Sequence, residues 1–173
     1  MRKIVYSVAM SLDGYLAGPN DEADWIVVDP EIDFAGAMAR FDTILMGRRT
    51  FEVAGGGSMP GVTTIVVSQT LRQEDHPSLT IIAEDVGGAL SRLRARSGKD
   101  IWLFGGGTLF RSLLDLGLVD TIEVGVIPVL LGGGVPLLPT RSQRTTLTLV
   151  TSKAYEATGT MVLEYAIQQE PAT

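Results

Sequence analysis

The sequence predicts an α/β fold: a central, mostly parallel sheet with helices on both faces and an antiparallel hairpin at its C-terminal end. Two observations predict it. As far as Gly107, short β-rich runs alternate with helical ones, the signature of strands joined by helical crossovers. Beyond Leu116 the strands follow one another with no helix between, as they do in an antiparallel edge. At 173 residues the chain is expected to form one domain over 1–173, because two separate cores would each be small and marginal.

The elements follow in order. KIVYSVAMS (3–11) reads as the first strand, and DPEIDFAGAMARF (29–41) as a helix. DTILMG, TTIVVS and LTIIAE are strands. In Val86 to Arg96 the apolar Val86, Leu90 and Leu93 recur at helical spacing, which predicts one packed face and a solvated one carrying Arg92, Arg94 and Arg96. IWLFGGG is a strand ending in three glycines, followed by a helix near Thr108 to Leu116. DTIEVGVIPVL, TTLTLVTSKAYE and TMVLEYAIQ complete the sheet, with a hairpin turn at Ala157 to Gly159 where Gly159 is free to take positive φ. The terminal EPAT is expected to fray. Three irregular stretches, Ala17 to Pro30, Val53 to Gly61 and Leu131 to Gln143, are long enough to be functional loops.

Composition narrows the chemistry. Cysteine is absent and His76 is the only histidine, so a disulfide framework, a thiolate nucleophile and a clustered transition-metal site are all out of reach. His76 beside Pro77 reads as a surface residue of a polar loop. A net charge of −6 with no basic stripe argues against a nucleic-acid partner. No run approaches the ~20 apolar residues that cross a bilayer, and the N-terminal apolar run is broken as a strand would be, so a cytoplasmic protein without a membrane partner is expected.

Two turns carry the functional signal. MGRRTFE (46–52) follows a strand and opens a helix: Gly47 allows close approach of a ligand to the backbone, and Arg48 and Arg49 add positive charge. This is a phosphate site in outline. The same residues also suit a tight turn with Thr50 as a cap and two solvated arginines. LFGGGTLF (103–110) repeats the design, and backbone bare of side chains at Gly105, Gly106 and Gly107 fits either a pyrophosphate or close structural packing. It is not the GxGxxG of a doubly wound dinucleotide fold. Ser68, at a strand end, can donate to a phosphate or simply close a turn. The second glycine run, LLGGGVPLLP, reads as a loop between strands that shapes the pocket or an interface.

AMSLDGYLAG, Trp25, ILMGRRTFE, VVSQTL, WLFGGGTLF and PVLLGGGVPL, in this order from about Arg2 to Ile167, resemble the dihydrofolate reductase-like superfamily. The branch resembled includes the reductase domain of bacterial riboflavin biosynthesis, the RibD C-terminal domain, and many small stand-alone reductases. The resemblance implies that family's three-layer fold and an NADPH site assembled from separate loops. Ala9 would meet the nicotinamide through its backbone, with Leu16 to Gly18 covering it. Gly47, Arg48, Arg49 and Thr50 would cradle phosphates, Arg48 facing the 2′-phosphate with Ser68 as a second donor. Phe104, Gly105, Gly106, Gly107, Thr108 and Leu109 would contact the pyrophosphate. Phe110 stands where dihydrofolate reductases often carry tyrosine.

The resemblance also implies a catalytic carboxylate: counted back from Gly47 without gaps, Glu31 falls where dihydrofolate reductases place theirs, which burial would tune toward proton transfer. Glu31 equally suits an exposed first helical turn, with Asp29 and Asp33 nearby. Trp25 suits either the substrate pocket or a buried loop anchor. The expected function is NADPH-dependent reduction of a small-molecule heterocycle of pterin or pyrimidine (riboflavin-precursor) type. A non-catalytic NADPH-binding sensor is the alternative. The resemblance also implies a homodimer, through the C-terminal strands or the PVLLGGG loop.

Overall fold

The computed structural model describes residues 1–140 and 143–168. EPAT and two residues of the Leu131 to Gln143 loop lie outside them. The chain runs β1 (Ile4–Ser11), β2 (Tyr15–Ala17), α1 (Phe34–Met38), β3 (Phe41–Gly47), α2 (Arg48–Val53), β4 (Thr63–Val67), β5 (Thr80–Ile82) and α3 (Val86–Ala95). It continues through β6 (Asp100–Gly105), α4 (Gly107–Asp115), β7 (Thr121–Ile127), β8 (Val135–Pro136), β9 (Leu147–Tyr155) and β10 (Thr160–Ile167).

Eight strands form one sheet in the order β5-β4-β3-β6-β1-β7-β10-β9. All pairs from β5 to β7 are parallel, while β10 is antiparallel to both β7 and β9. The predicted architecture is therefore the observed one. The hairpin turn also lies where expected, and Gly159 takes φ +71°. β2 and β8, too short to leave a sequence pattern, pair antiparallel outside the main sheet.

Strand alternation sorts the core onto two faces. Ile4, Tyr6, Leu45, Ile101, Leu103, Ile122 and Val124 point to one face, where Leu90 of α3 and Leu109, Phe110, Leu113 and Leu114 of α4 cover them. Val5, Ile44, Met46, Val66 and Trp102 point to the other, packed by Phe51 of α2, with Met38 of α1 at its margin. Tyr6 stacks on Phe110 with ring centroids 3.9 Å apart, and burial pushes its phenol pKa well above the ordinary value, so it stays protonated.

Two expectations need correction. The helix predicted over 29–41 shrinks to α1, because Asp29 Oδ1 accepts from the Glu31 amide and Asp33 Oδ1 from the Gly36 amide. Such local bonds offer the backbone an alternative to the helix, and Pro30 lacks a donor. Arg94, expected on a solvated face, is buried. Its guanidinium donates to Asp120 at 2.7 and 2.9 Å, to the Arg2 carbonyl at 3.1 Å and to the Leu118 carbonyl at 3.3 Å. Asp120 also accepts from the Ile4 amide, so this one pair ties α3 to the starts of β1 and β7.

Beside it, Arg2 pairs with Asp42, which accepts from the Lys99 amide too. Burial would raise the Asp42 pKa, but the Lys99 amide, the Thr43 hydroxyl and Arg2 outweigh it and hold the carboxyl below its ordinary value. The N-terminal ends of β1, β3, β6 and β7 are thus tied together by ion pairs.

Replacing Arg94 with alanine should destabilise the fold by roughly 3 kcal/mol, the lower end for splitting a buried pair because Asp120 retains some solvent contact. Urea unfolding measures this. A loss under ~1 kcal/mol, the scale of an exposed pair, would show that the pair is no clasp.

Candidate functional site

β3 and β6 are neighbours, yet α2 leaves β3 toward one face of the sheet and α4 leaves β6 toward the other. Divergent connections at adjacent carboxyl ends open a crevice, the usual ligand position in such sheets. Here it is a cavity of about 1430 Å³. Ala9, Leu16, Gly47, Arg48, Arg49, Thr50, Ser68, Phe104, Gly105, Gly106, Gly107, Thr108 and Leu109 all line it. The fold thus brings segments far apart in sequence to one wall.

Each glycine of the second turn has its own reason. Gly105 has φ +138°, where side chains are rare, and a Cβ on Gly106 would stand 3.3 Å from Thr50 Oγ1. A Cβ on Gly107 would meet the Pro136 carbonyl oxygen at 2.6 Å, so that glycine answers to close packing under β8. The Gly105–Gly106 peptide is cis. Gly106 is the N-cap of α4 and no side chain caps that helix end. Its first amides therefore lack a helical acceptor and stand in the cavity wall.

The charged side chains at this end are held by exchangeable pairs. Arg48 bonds Glu52 one turn along α2 at 2.9 Å, and Arg49 reaches Asp21 at 2.7 Å. Ser68 is buried and its Oγ accepts from the Thr70 and Leu71 amides at 3.2 and 3.0 Å, closing the turn after β4 while also lining the wall.

The cavity roof is the β2–β8 pair, through Leu16, Ala17, Gly134, Val135 and Pro136. Asp13 holds it down. Its carboxylate accepts from Ser11 Oγ at 2.6 Å, from the Gly132 amide at 2.7 Å and from the Leu131 amide at 3.1 Å, and these bonds, the hydroxyl first, hold its pKa below the ordinary aspartate value. Gly18 is not in the wall; it closes the next turn, its amide donating to the Glu22 carbonyl at 2.9 Å.

The loop 18–33 supplies Ile26, Val27, Val28 and Ile32 to the wall. Asp29 anchors it: 1% exposed, it accepts from Thr158 Oγ1 at 2.8 Å and so ties the loop to the β9–β10 turn. Glu31 does not reach the cavity. It is exposed, as in the alternative reading, but in the segment before α1, which starts three residues later. Trp25 is likewise outside the wall, half-buried rather than a buried anchor, its indole N–H donating to the Glu22 carbonyl of its own loop at 3.1 Å. His76 is half-buried, edge-on to Phe51 at 5.6 Å, rather than a free surface residue.

The far end of the cavity contains residues that sequence reasoning missed. Ser7, Phe34, Met38, Arg40, Trp102 and Glu123 form a slot. The Trp102 indole N–H donates to the Ser7 carbonyl at 2.8 Å, and its ring meets Phe34 and Phe104 edge-on at 6.5 and 4.8 Å. Arg40 is ion-paired with Glu123 on β7. The signal was present in the period-2 run Ile122-Glu123-Val124: its apolar residues face the α3–α4 core, so the acid had to face the other side. Among the described residues no His, Cys, Asp and Glu cluster could hold a metal ion, and no helix is long and apolar enough to cross a membrane.

Residues 2–162 match the RibD C-terminal domain family. The chain belongs to that family. The uncharacterised Bacillus subtilis protein YyaP is 31% identical over 171 residues, 90% of each chain. A Shewanella sp. PV-4 crystal structure described as a riboflavin biosynthesis protein is 25% identical, with TM-score 0.82 over 98% of this chain and all of that one. Dihydrofolate reductase from Enterococcus faecalis, solved with NADP(H), is 17% identical with TM-score 0.72, covering 96% of this chain and 97% of that one, and so shares the fold. The sheet order and C-terminal hairpin of this RibD C-terminal domain are thus those of the dihydrofolate reductase-like fold.

The Asp13 clasp has a defined pH dependence. Its folded pKa lies below the unfolded one, so its contribution is complete above the ordinary aspartate value and is lost as pH falls through the folded value. In an NMR titration the Leu131 and Gly132 amide shifts should move with the Asp13 carboxyl, below the ordinary aspartate range. Asp13→Asn should abolish that acid transition.

Proposed function

We propose that this protein is an NADPH-dependent reductase of a small heterocycle of the pyrimidine or pterin type. One observation carries the reading: a single cavity joins two glycine turns and two exposed arginines at one end to an aromatic slot at the other. At about 1430 Å³ it exceeds the roughly 300–1000 Å³ of an ordinary single-ligand pocket, which suits a dinucleotide and a substrate together. Family membership and the NADP(H) held by a protein of the same fold support it.

The chain's own residues divide the work. The uncapped amides at Gly106, Gly107 and Thr108 suit a pyrophosphate, because a helix N-terminus presents donors and positive potential together. Arg48 and Arg49 would exchange their carboxylate partners for phosphate oxygens; exposed pairs of this kind are worth only about 0.2–1 kcal/mol. Thr50 and Ser68 would add hydroxyl donors. The backbone at Ala9 and the side chain of Leu16 would confine the nicotinamide under the β2–β8 roof, and Ile26, Val27 and Val28 would exclude water from the slot. When bound, the cofactor would supply the hydride.

Loss of NADPH absorbance on mixing with a panel of pterins and aminopyrimidines is the direct test, and tight NADPH binding with no oxidation by any of them would leave a binding module in place of an enzyme. Arg48→Gln should weaken NADPH binding roughly tenfold to a hundredfold, the scale of one charge-assisted hydrogen bond, while NADH binding changes little. Equal losses would remove Arg48 from the 2′-phosphate.

We further propose that the protein is a homodimer joined along β9. That strand is one of the two sheet edges, and Leu147, Leu149 and Val150 are exposed on it, a combination that invites pairing with another chain. Light scattering should give twice the chain mass, and Leu149→Lys should shift it toward the monomer. A wild-type monomer at micromolar concentration would refute the interface.

A further inference from the structure

The slot end of the cavity contains a carboxylate that the cofactor reading leaves unused. Glu123 stands in the wall on β7, its side chain 13% exposed. One of its oxygens, Oε2, is taken by Arg40. The other, Oε1, is sealed from solvent and has no hydrogen-bond partner. A buried carboxylate oxygen without a donor bears the full desolvation cost of that atom, and such a group calls for an explanation. Its neighbours within the protein do not supply one. Glu164 stands opposite Glu123 in register on β10, and that residue adds negative charge. Ser7 is its register partner on β1, and Trp102 bonds the carbonyl of Ser7 from the other side.

The charge balance of the slot points the same way. The charged residues of the cavity wall are Asp21, Arg40, Arg48, Arg49 and Glu123. Arg48 and Arg49 are half or more exposed and stand at the glycine-turn end, where their partners can be exchanged. Arg40 is compensated by a much less exposed partner and is further held over the Phe41 ring at 4.6 Å. Among the described residues the slot therefore offers no uncommitted cation, and a phosphate there would meet a carboxylate.

We propose that Glu123, clamped by Arg40, reads adjacent N–H donors on the edge of a flat, unphosphorylated heterocycle lying against Trp102. The terminal torsion of a glutamate is soft, so the carboxylate can turn its second oxygen to a ligand donor while another guanidinium N–H keeps hold of the first. Phe34, Met38 and Trp102 supply the apolar walls for the ring. The inference rests on the reading of the cavity as a cofactor-plus-substrate site, and it assigns the donor pattern and charge of the substrate within that site.

Calorimetric titration of the protein, with and without NADPH, tests it using 2,4-diaminopyrimidine against 2,4-dimethoxypyrimidine, which has the same ring but no N–H donors. The diamino compound should bind at least about tenfold tighter, the value of one charge-assisted hydrogen bond. Inorganic phosphate should not displace it from the NADPH-loaded protein. Glu123→Gln, which replaces an acceptor by a donor, should erase that preference while NADPH affinity stays within about twofold. Equal affinity of the wild-type protein for the two pyrimidines, no binding of the diamino compound, displacement by phosphate, or a preference that survives in Glu123→Gln would each overturn the proposal. The wild-type comparison decides it even if the variant does not fold. Donor preference without any NADPH binding would sink the reductase reading and leave this inference standing; NADPH binding without donor preference would do the reverse.

Discussion

A parallel sheet must be covered on both faces, and in this protein the two covers are unequal. α3 and α4, ten and nine residues long, seal one face with Leu90, Phe110 and Leu113. The other face has only the five residues of α1 and the six of α2. Short helices cannot close it, so Ser7 and Glu123 border a cavity, and Trp102 stands between that cavity and the packed core. The cavity is therefore a direct result of helix length. What shortens α1 is local: aspartate side chains that bind nearby amides in place of the helical ladder.

The fold was legible because its signals are local. Alternating strands and helices, the loss of helices after Leu116 and the Gly159 turn each leave a pattern over a few residues. The glycine-turn end of the cavity was legible for the same reason, since a glycine turn between strand and helix announces itself. The slot was not. Trp102, Ser7 and Glu123 meet through strand order β6-β1-β7, and Arg40 reaches Glu123 from the segment before β3, none of which a local pattern encodes. The same blindness applies to Glu31, which was selected by a gapless count from Gly47 and stands exposed, and it put Arg94 in solvent, because only tertiary structure places Asp120 beside it.

Charge is distributed by end. The starts of the parallel strands carry partly or fully buried clasps, Arg2 with Asp42 and Arg94 with Asp120, where removing one partner would strand the other. At the strand ends the arginine pairs are more exposed and cheap to exchange. The same chemical pairing thus clasps the strands at one end of the sheet and is loosely held at the other, with solvent exposure as the difference.

The bond between Asp29 and Thr158 has a consequence for the order of events in synthesis. The cavity's side loop is secured by Thr158, 129 residues further along the chain, and β1 is flanked by β7, made long after it. A nascent chain emerging from the N-terminus can form β3, α2 and β4 early, yet it cannot finish the pocket until the last hairpin folds back. The pocket is thus assembled only after β10 has been made, however early its glycine turns emerge.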